Sequence, residues 1–294
     1  MRNLFLRLFS IAVIVGIVAG AAPVKADFSV GIMAPRSGIE AKKRWQPLAE
    51  YLAAQTGEKV KLVPLKPDQV LTAVEKKRVD IVLANPLLSA TIVATVSGSK
   101  PVAGLNKKTG DTFAGVIFSK AGSGIKSAAD VKGKKVMGFK IGESAGAYLF
   151  QAYHLTQSNI SVPSDLASLK SAKNQDSVVT AVKAGVAEVG FVRTGILEAM
   201  EKEGKVSLSD FTIIDSKIGP GGIVHSTEYY PEWQLVALPH LDAGRAGKIS
   251  KAALALKADA PAAEAARITG FAGPADLTSV VNMMKALKVK PFDK

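Results

Sequence analysis

Cysteine is absent from the 294 residues. Its absence excludes a disulfide framework, thiol catalysis, thiolate metal sites and a lipidated cysteine anchor. Histidine occurs three times, at His154, His225 and His240, in unrelated local contexts. No metal-ligand cluster with recognisable spacing can be built from so few, and no cofactor is expected. Aromatic residues are 6% of the chain and do not interleave with basic ones. That weakens a nucleic-acid reading, which needs stacking surfaces beside the cations. Acids are also short: 25 Asp and Glu face 38 Lys and Arg, a net charge of +13. Lysines such as Lys42, Lys43, Lys76, Lys77, Lys107 and Lys108 stand in helix-surface or turn contexts and read as solvated. Their summed field favours small anionic ligands.

Long apolar runs are confined to the start. Arg2 and Arg7 form a basic region, residues 8–22 an apolar core, and Val24-Lys25-Ala26 a small-x-small site. The core has the length of a signal-peptide centre and is short for a membrane span. The expected reading is a leader over 1–26, cleaved after Ala26, with a soluble periplasmic product that starts at Asp27. An N-terminal membrane anchor is the alternative. The leader holds Arg2, Arg7 and Lys25 and no acid, leaving +10 for the remainder. Export again argues against nucleic acid as a partner.

The remaining length exceeds one typical core and predicts two lobes. Strand-like and helical runs alternate: strand 28–33, amphipathic helix 41–56, strand 60–64, helix 67–77, strand 81–84. A longer strand, 112–119, leads into a second alternating set between 127 and 215. The chain then returns through 223–227, and two alanine-rich helices end it. This order predicts an α/β clamshell of type II-like form. Each lobe is a mainly parallel sheet flanked by helices, and two strands cross at the hinge. The expected division is 27–118 with 226–294 for lobe 1 and 119–225 for lobe 2.

Ligands of open α/β sheets bind beyond the carboxyl ends of strands. The loops at 34–38, 85–89, 141–146, 172–176, 193–195 and 225–227 therefore converge on one cleft. Lys134–Gly146, K-K-V-M-G-F-K-I-G-E-S-A-G, is the most informative. A buried strand feeds a small-residue turn that opens a helix, so free N–H groups point into a crevice where an anion can sit. The plainer reading is an ordinary turn capped by Ser144. The candidate ligand-binding residues are Arg36, Asn85, Ser144, Ala145, Gly146, Asn174, Gln175, Arg193, Thr194, His225 and Ser226. Arg193 leads, because it ends an apolar strand and presents a planar fork to oxyanions. An interlobe salt bridge is its structural alternative. Arg36 could be a solvated loop residue, Asn85 a turn residue before Pro86, and His225 a partner for hinge backbone. Trp45 and Trp233 read as packing anchors.

These segments carry a resemblance. S-V-G-I-M-A-P-R with K-R-W-Q-P-L-A-E-Y-L, then R-V-D-I-V-L-A-N-P, S-G-I-K-S-A-A-D-V-K-G-K-K-V and A-V-K-A-G-V-A-E-V-G, resemble periplasmic solute-binding proteins of the phosphonate/phosphite-binding type. V-R-T-G-I-L-E and H-S-T-E-Y-Y-P-E-W-Q-L-V-A-L-P look similar to the periplasmic sensor domains of tetrathionate-type histidine kinases. Where phosphonate binders carry Ser-Thr-Ser-Gly, this chain has Glu143-Ser144-Ala145-Gly146. Where they often carry His-Asp, it has Gln175-Asp176. The resemblance implies a monomeric binding protein for a small phosphorus, sulfur or similar oxyanion without an amine. Its partner would be an ABC permease or a sensor histidine kinase.

A serine-type hydrolase is the competing class. Gly142-Glu-Ser144-Ala-Gly146 has the form of a nucleophile elbow in a strand-turn-helix setting. His225 and His240 follow it in sequence. No nucleophile–base pair can be named, and the two-lobe pattern opposes the enzyme.

Overall fold

The computed structural model describes residues 28–34 and 37–293. The expected leader and Arg36 lie outside them. β1 (Phe28–Met33) enters a buried sheet, and α1 (Gly38–Thr56) follows it. Ser37 caps α1 by accepting from the N–H groups of Ile39 and Glu40, and Gly57 ends it at φ 69°, a left-handed stop that glycine adopts without penalty. β2 (Val60–Leu65), α2 (Val70–Glu75), β3 (Ile81–Ala84), α3 (Pro86–Thr95) and β4 (Lys100–Asn106) complete the first stretch. The return of the chain adds β14 (Gln234–Ala237), α7 (Ala243–Leu254), α8 (Pro261–Ala266) and β15 (Gly270–Ala272).

The first sheet has the order β15-β4-β14-β3-β1-β2. β1 runs parallel to β2 and β3, while β14 is antiparallel to β3 and β4. Both faces are covered. Trp45, Leu48 and Leu52 of α1 pack with Ile249 and Ala253 of α7 and Ala263 of α8 on one side. Val70, Ala73 and Val74 of α2 meet Ile92 of α3 on the other. This two-sided burial explains why β3 is apolar at every position, as sheet centres require. Trp45 is a core residue, and Trp233 packs half-buried against both clusters.

Between these parts lies the second unit. β5 (Thr112–Phe113) and β6 (Gly115–Lys120) break at Ala114, where one continuous strand was expected. β7 (Lys135–Phe139), a π-type turn over Ala145–Leu149, α4 (Phe150–Gln157), β8 (Ser168–Ala172), α5 (Gln175–Lys183), β9 (Val189–Arg193), α6 (Ile196–Lys202) and β10 (Phe211–Ile213) follow. The sheet order is β10-β6-β9-β7-β8. β7 pairs parallel with β8 and β9, and β6 antiparallel with β9 and β10. Each sheet is thus parallel in one half and antiparallel where a crossing strand or its neighbour enters. α4 covers one face, and α5 with α6 the other.

The hairpin of β11 (Lys217–Ile218) and β12 (Val224–His225) precedes the return crossing. The two crossings are tied together. The N–H groups of Ser226 and Thr227 both donate to Gly115 O, at 2.9 and 3.2 Å. The Thr227 hydroxyl accepts from Gly115 N at 2.9 Å, and β13 (Tyr230–Pro231) pairs with β5. Crossing therefore occurs ahead of β6, and residues 115–118 belong to the second sheet. The last helix, α9 (Thr278–Ala286), puts Val280, Met283 and Met284 into a cluster with Leu149 and Phe150 rather than into the first sheet's core.

Candidate functional site

Arg193 ends β9, whose preceding residues are all buried. Three contacts fix its backbone. It pairs with Gly115 across the sheet. Its N–H donates to Gln175 Oε1 at 2.8 Å. The next residue, Thr194, donates its N–H to Ala114 O at 3.0 Å and accepts from Ala114 N on its hydroxyl at 3.3 Å. Gln175 opens α5, which Asn174 caps by accepting from Ser177 N at 2.8 Å. Asn174, Gln175, Arg193 and Thr194 thus form one hydrogen-bonded corner beside the hinge.

The Arg193 side chain leaves this corner with 26% of its surface exposed. Its guanidinium carbon lies 4.6 Å from the centre of the Phe113 ring, a cation–π stacking distance. Phe113 packs in turn on Phe150 at 5.1 Å, and Phe150 stacks on Tyr230 at 3.9 Å. Gly146 closes over the same spot. A Cβ placed there would stand 2.6 Å from Phe113 and 3.1 Å from Arg193 Cβ. Glycine lets the helix-opening turn meet the arginine.

Nη2 of Arg193 donates to Glu232 Oε1 at 2.9 Å, and Nζ of Lys107 donates to the same oxygen at 2.8 Å. The Glu232 side chain is 0% exposed and that of Lys107 21%. Burial on its own would raise the Glu232 carboxyl, but the charges and hydrogen bonds of Arg193 and Lys107 outweigh it and hold the acid below its ordinary value of 4.5. Burial, followed by repulsion from Arg193, pushes the Lys107 ammonium below 10.5 despite the Glu232 contact. Lys107 is therefore not the solvated lysine its turn context predicts. The spare N–H groups of Arg193 matter as much. A guanidinium carries five donors, and among the described residues only Nη2 meets a side-chain acceptor.

The turn before α4 bends tightly, with Lys140 at φ 48° and Gly142 at φ 84°. Ser144 holds the cap position, yet its hydroxyl makes no capping bond, contrary to the plainer reading. The first helical bonds run from Leu149 N to Ser144 O and from Phe150 N to Ala145 O. The N–H groups from Ala145 to Tyr148 precede them and have no partner within the helix. Ala145 and Gly146 are buried, and Ser144 is partly exposed.

The other expected residues have local duties. Asn85 caps α3 through Leu88 N at 2.9 Å, so 85–89 is a helix start and not a loop. Ser226 is fully buried and exchanges hydrogen bonds with Ile117, accepting from its N–H at 2.9 Å and donating to its carbonyl at 3.2 Å. His225 is buried, with Nδ1 2.8 Å from Thr227 O and its ring against Tyr229. His154 pairs with Asp215 and His240 with Asp80. No histidine contact to Ser144 occurs among the described residues. The sequence did not point to Glu232, and it placed Lys107 among the solvated lysines. They stand 125 residues apart, and P-E-W-Q gives no local sign that its acid is buried.

Two α/β lobes on paired crossings, with charged groups at the hinge, define a bilobal binding protein. The profile of the phosphonate ABC transporter periplasmic substrate-binding proteins matches residues 30–278, and the chain belongs to that family. It is 26% identical over 273 residues to the tetrathionate sensor histidine kinase TtrS of Salmonella typhimurium. The match covers 90% of this chain but only 44% of that longer protein. PhnD1 of Prochlorococcus marinus in complex with methylphosphonate superposes with a TM-score of 0.67 at 16% identity, covering 89% of this chain and 98% of its own. XAC2383 of Xanthomonas citri bound to ATP gives 0.69 at 16% identity, covering 88% and 94%. Such identities establish the shared fold. The family is one of periplasmic substrate-binding proteins and not of enzymes, which removes the hydrolase reading. No helix among the described residues is long and apolar enough to cross a membrane.

Proposed function

We propose that this periplasmic substrate-binding protein captures a small oxyanion between its lobes, with Arg193 as the principal charge contact. The observation that carries this reading is the meeting of Arg193 with Gly146. A residue whose guanidinium has spare donors abuts, at its Cβ, the N–H-rich opening of a helix, where an anion is favoured. Ser144 adds a hydroxyl that makes no capping bond and has no partner among the described residues. The relatives support the ligand class, because methylphosphonate and ATP are phosphorus oxyanions and tetrathionate a sulfur one. Closure of the lobes would expel water and strengthen each charge-assisted bond.

The bound form would then be presented to an importer, as the family implies, or to a sensor kinase. The match to the tetrathionate sensor over nearly the whole chain favours the second destination. Melting of the purified protein against phosphate, methylphosphonate, sulfate, thiosulfate and tetrathionate at constant ionic strength tests the ligand class. A true ligand at 100 times its Kd adds about 2.7 kcal/mol of stability. Sugars and cationic amino acids complete the panel, and stabilisation by these alone would overturn the oxyanion reading.

A further inference from the structure

We infer that Glu232 sets the charge of the anion this cleft accepts. The inference rests on the oxyanion reading above and adds a residue that acts without touching the ligand. Glu232 is an internal carboxylate with no exposed side-chain surface, and Lys107 and Arg193 share its one bonded oxygen. The other oxygen, Oε2, is buried without a hydrogen-bond partner among the described residues. A carboxylate buried on these terms carries a desolvation cost that only its two cations offset. Its charge is therefore spent inside the protein, on groups that an incoming anion also needs.

Lys107, Arg193 and Glu232 together carry one net positive charge. A singly charged oxyanion neutralises that sum. A doubly charged one leaves an excess negative charge in a poorly solvated place. The three residues come from different parts of the chain: Lys107 after β4, Glu232 between β13 and β14, and Arg193 at the end of β9. The balance consequently exists only once the lobes are assembled. Arg193 meets it directly, since the residue whose Cβ lies beside the Gly146 turn is the one whose guanidinium Glu232 holds.

Glu232→Gln keeps the side-chain shape and raises the sum to two positive charges. Lys107→Met keeps length and lowers it to zero. Methanesulfonate and sulfate are suitable probes, being tetrahedral sulfur oxyanions of similar size with fixed charges of one and two at neutral pH. Their ratio cancels any general loss of positioning. Calorimetric titration of the full protein and both variants at one ionic strength is the test. The ratio of sulfate to methanesulfonate affinity should rise at least tenfold in Glu232→Gln, as expected for one charge within about 12 Å at an effective dielectric of about 20. It should fall in Lys107→Met, which carries the test alone if Glu232→Gln does not fold. Binding of both probes with an unchanged ratio in the folded variants would overturn the role of Glu232 and leave the oxyanion reading standing. Failure of both probes and of every oxyanion in the melting panel to bind the unaltered protein would remove that reading and this inference with it.

Discussion

Arg193 on β9 of the second sheet donates to Glu232 beside β14 of the first, at 2.9 Å. The bond ties the two sheets together beside the paired crossings. It makes the structural and ligand-binding readings of Arg193 compatible, since one nitrogen serves Glu232 and the rest stay available. Arg193→Ala leaves Glu232 with Lys107 alone. Because Lys107 remains, the loss of stability without ligand should be about 1–3 kcal/mol, below the cost of fully unpairing a buried acid. Urea unfolding of the unliganded variant checks this, and an unchanged midpoint would contradict it.

Gly146 tests the geometry from the other side. Gly146→Ala drives a methyl group into the Phe113 ring and toward Arg193 Cβ. Overpacking of this kind costs about 1–3 kcal/mol and displaces the Phe113 ring on which the guanidinium stacks. Oxyanion affinity should fall tenfold or more while the far-ultraviolet circular dichroism is retained. Wild-type affinity in the variant would show that the turn and the arginine do not act together.

Glu232 contributes to the acid limb of the stability curve, beside Asp130, Asp210, Glu228 and Asp276, whose carboxyls hydrogen bonds also hold low. Its carboxyl titrates lower in the folded protein than its ordinary 4.5. As pH falls below that ordinary value the unfolded chain takes up the proton first, so stability present above it is lost as pH drops through the folded value. Lys107 is also lowered, from 10.5. Between its folded and unfolded values the unfolded chain holds the extra proton, so stability rises with pH there. Melting from pH 3 to 10 should show a shallower acid limb in Glu232→Gln and a shallower alkaline rise in Lys107→Met. Curves parallel to wild type would remove both assignments.

The leader prediction stands apart from the site. Protein recovered from the periplasm of an expressing cell should begin Asp27-Phe28-Ser29-Val30. A membrane-bound product that retains residues 1–26 would contradict cleavage after Ala26.

The alternation of strand and helix was legible because each element has its own periodicity or apolar run. β1, β3 and β7 lie where their sequences place them. α3 was not legible as a helix. Asn85-Pro86 reads as a turn, and P-L-L-S-A-T-I-V-A-T is apolar on nearly all sides, so it shows no face. β4 was hidden by Pro101 and Gly104. Gly104 is there because the Gln234 side chain occupies the space of a Cβ, 2.7 Å away. Within the site, Arg193 and the Gly146 turn were readable from their place at strand ends. Lys107 and Glu232 were not, because their pairing depends on how the crossings fold together and leaves no spacing signal. Ser226 and His225 lie beside the return crossing, where backbone groups take up their polar atoms.

Titration calorimetry of the unaltered protein beside Arg193→Lys and Arg193→Ala, with the oxyanion that stabilises it most, tests the central claim most directly. Arg193→Ala should lose about 2–5 kcal/mol of binding free energy, as for one partner of a desolvated charge pair. Arg193→Lys should recover only part, because a point charge replaces the planar fork. Equal affinity in all three proteins would contradict the claim and leave Arg193 as an interlobe tie to Glu232 alone.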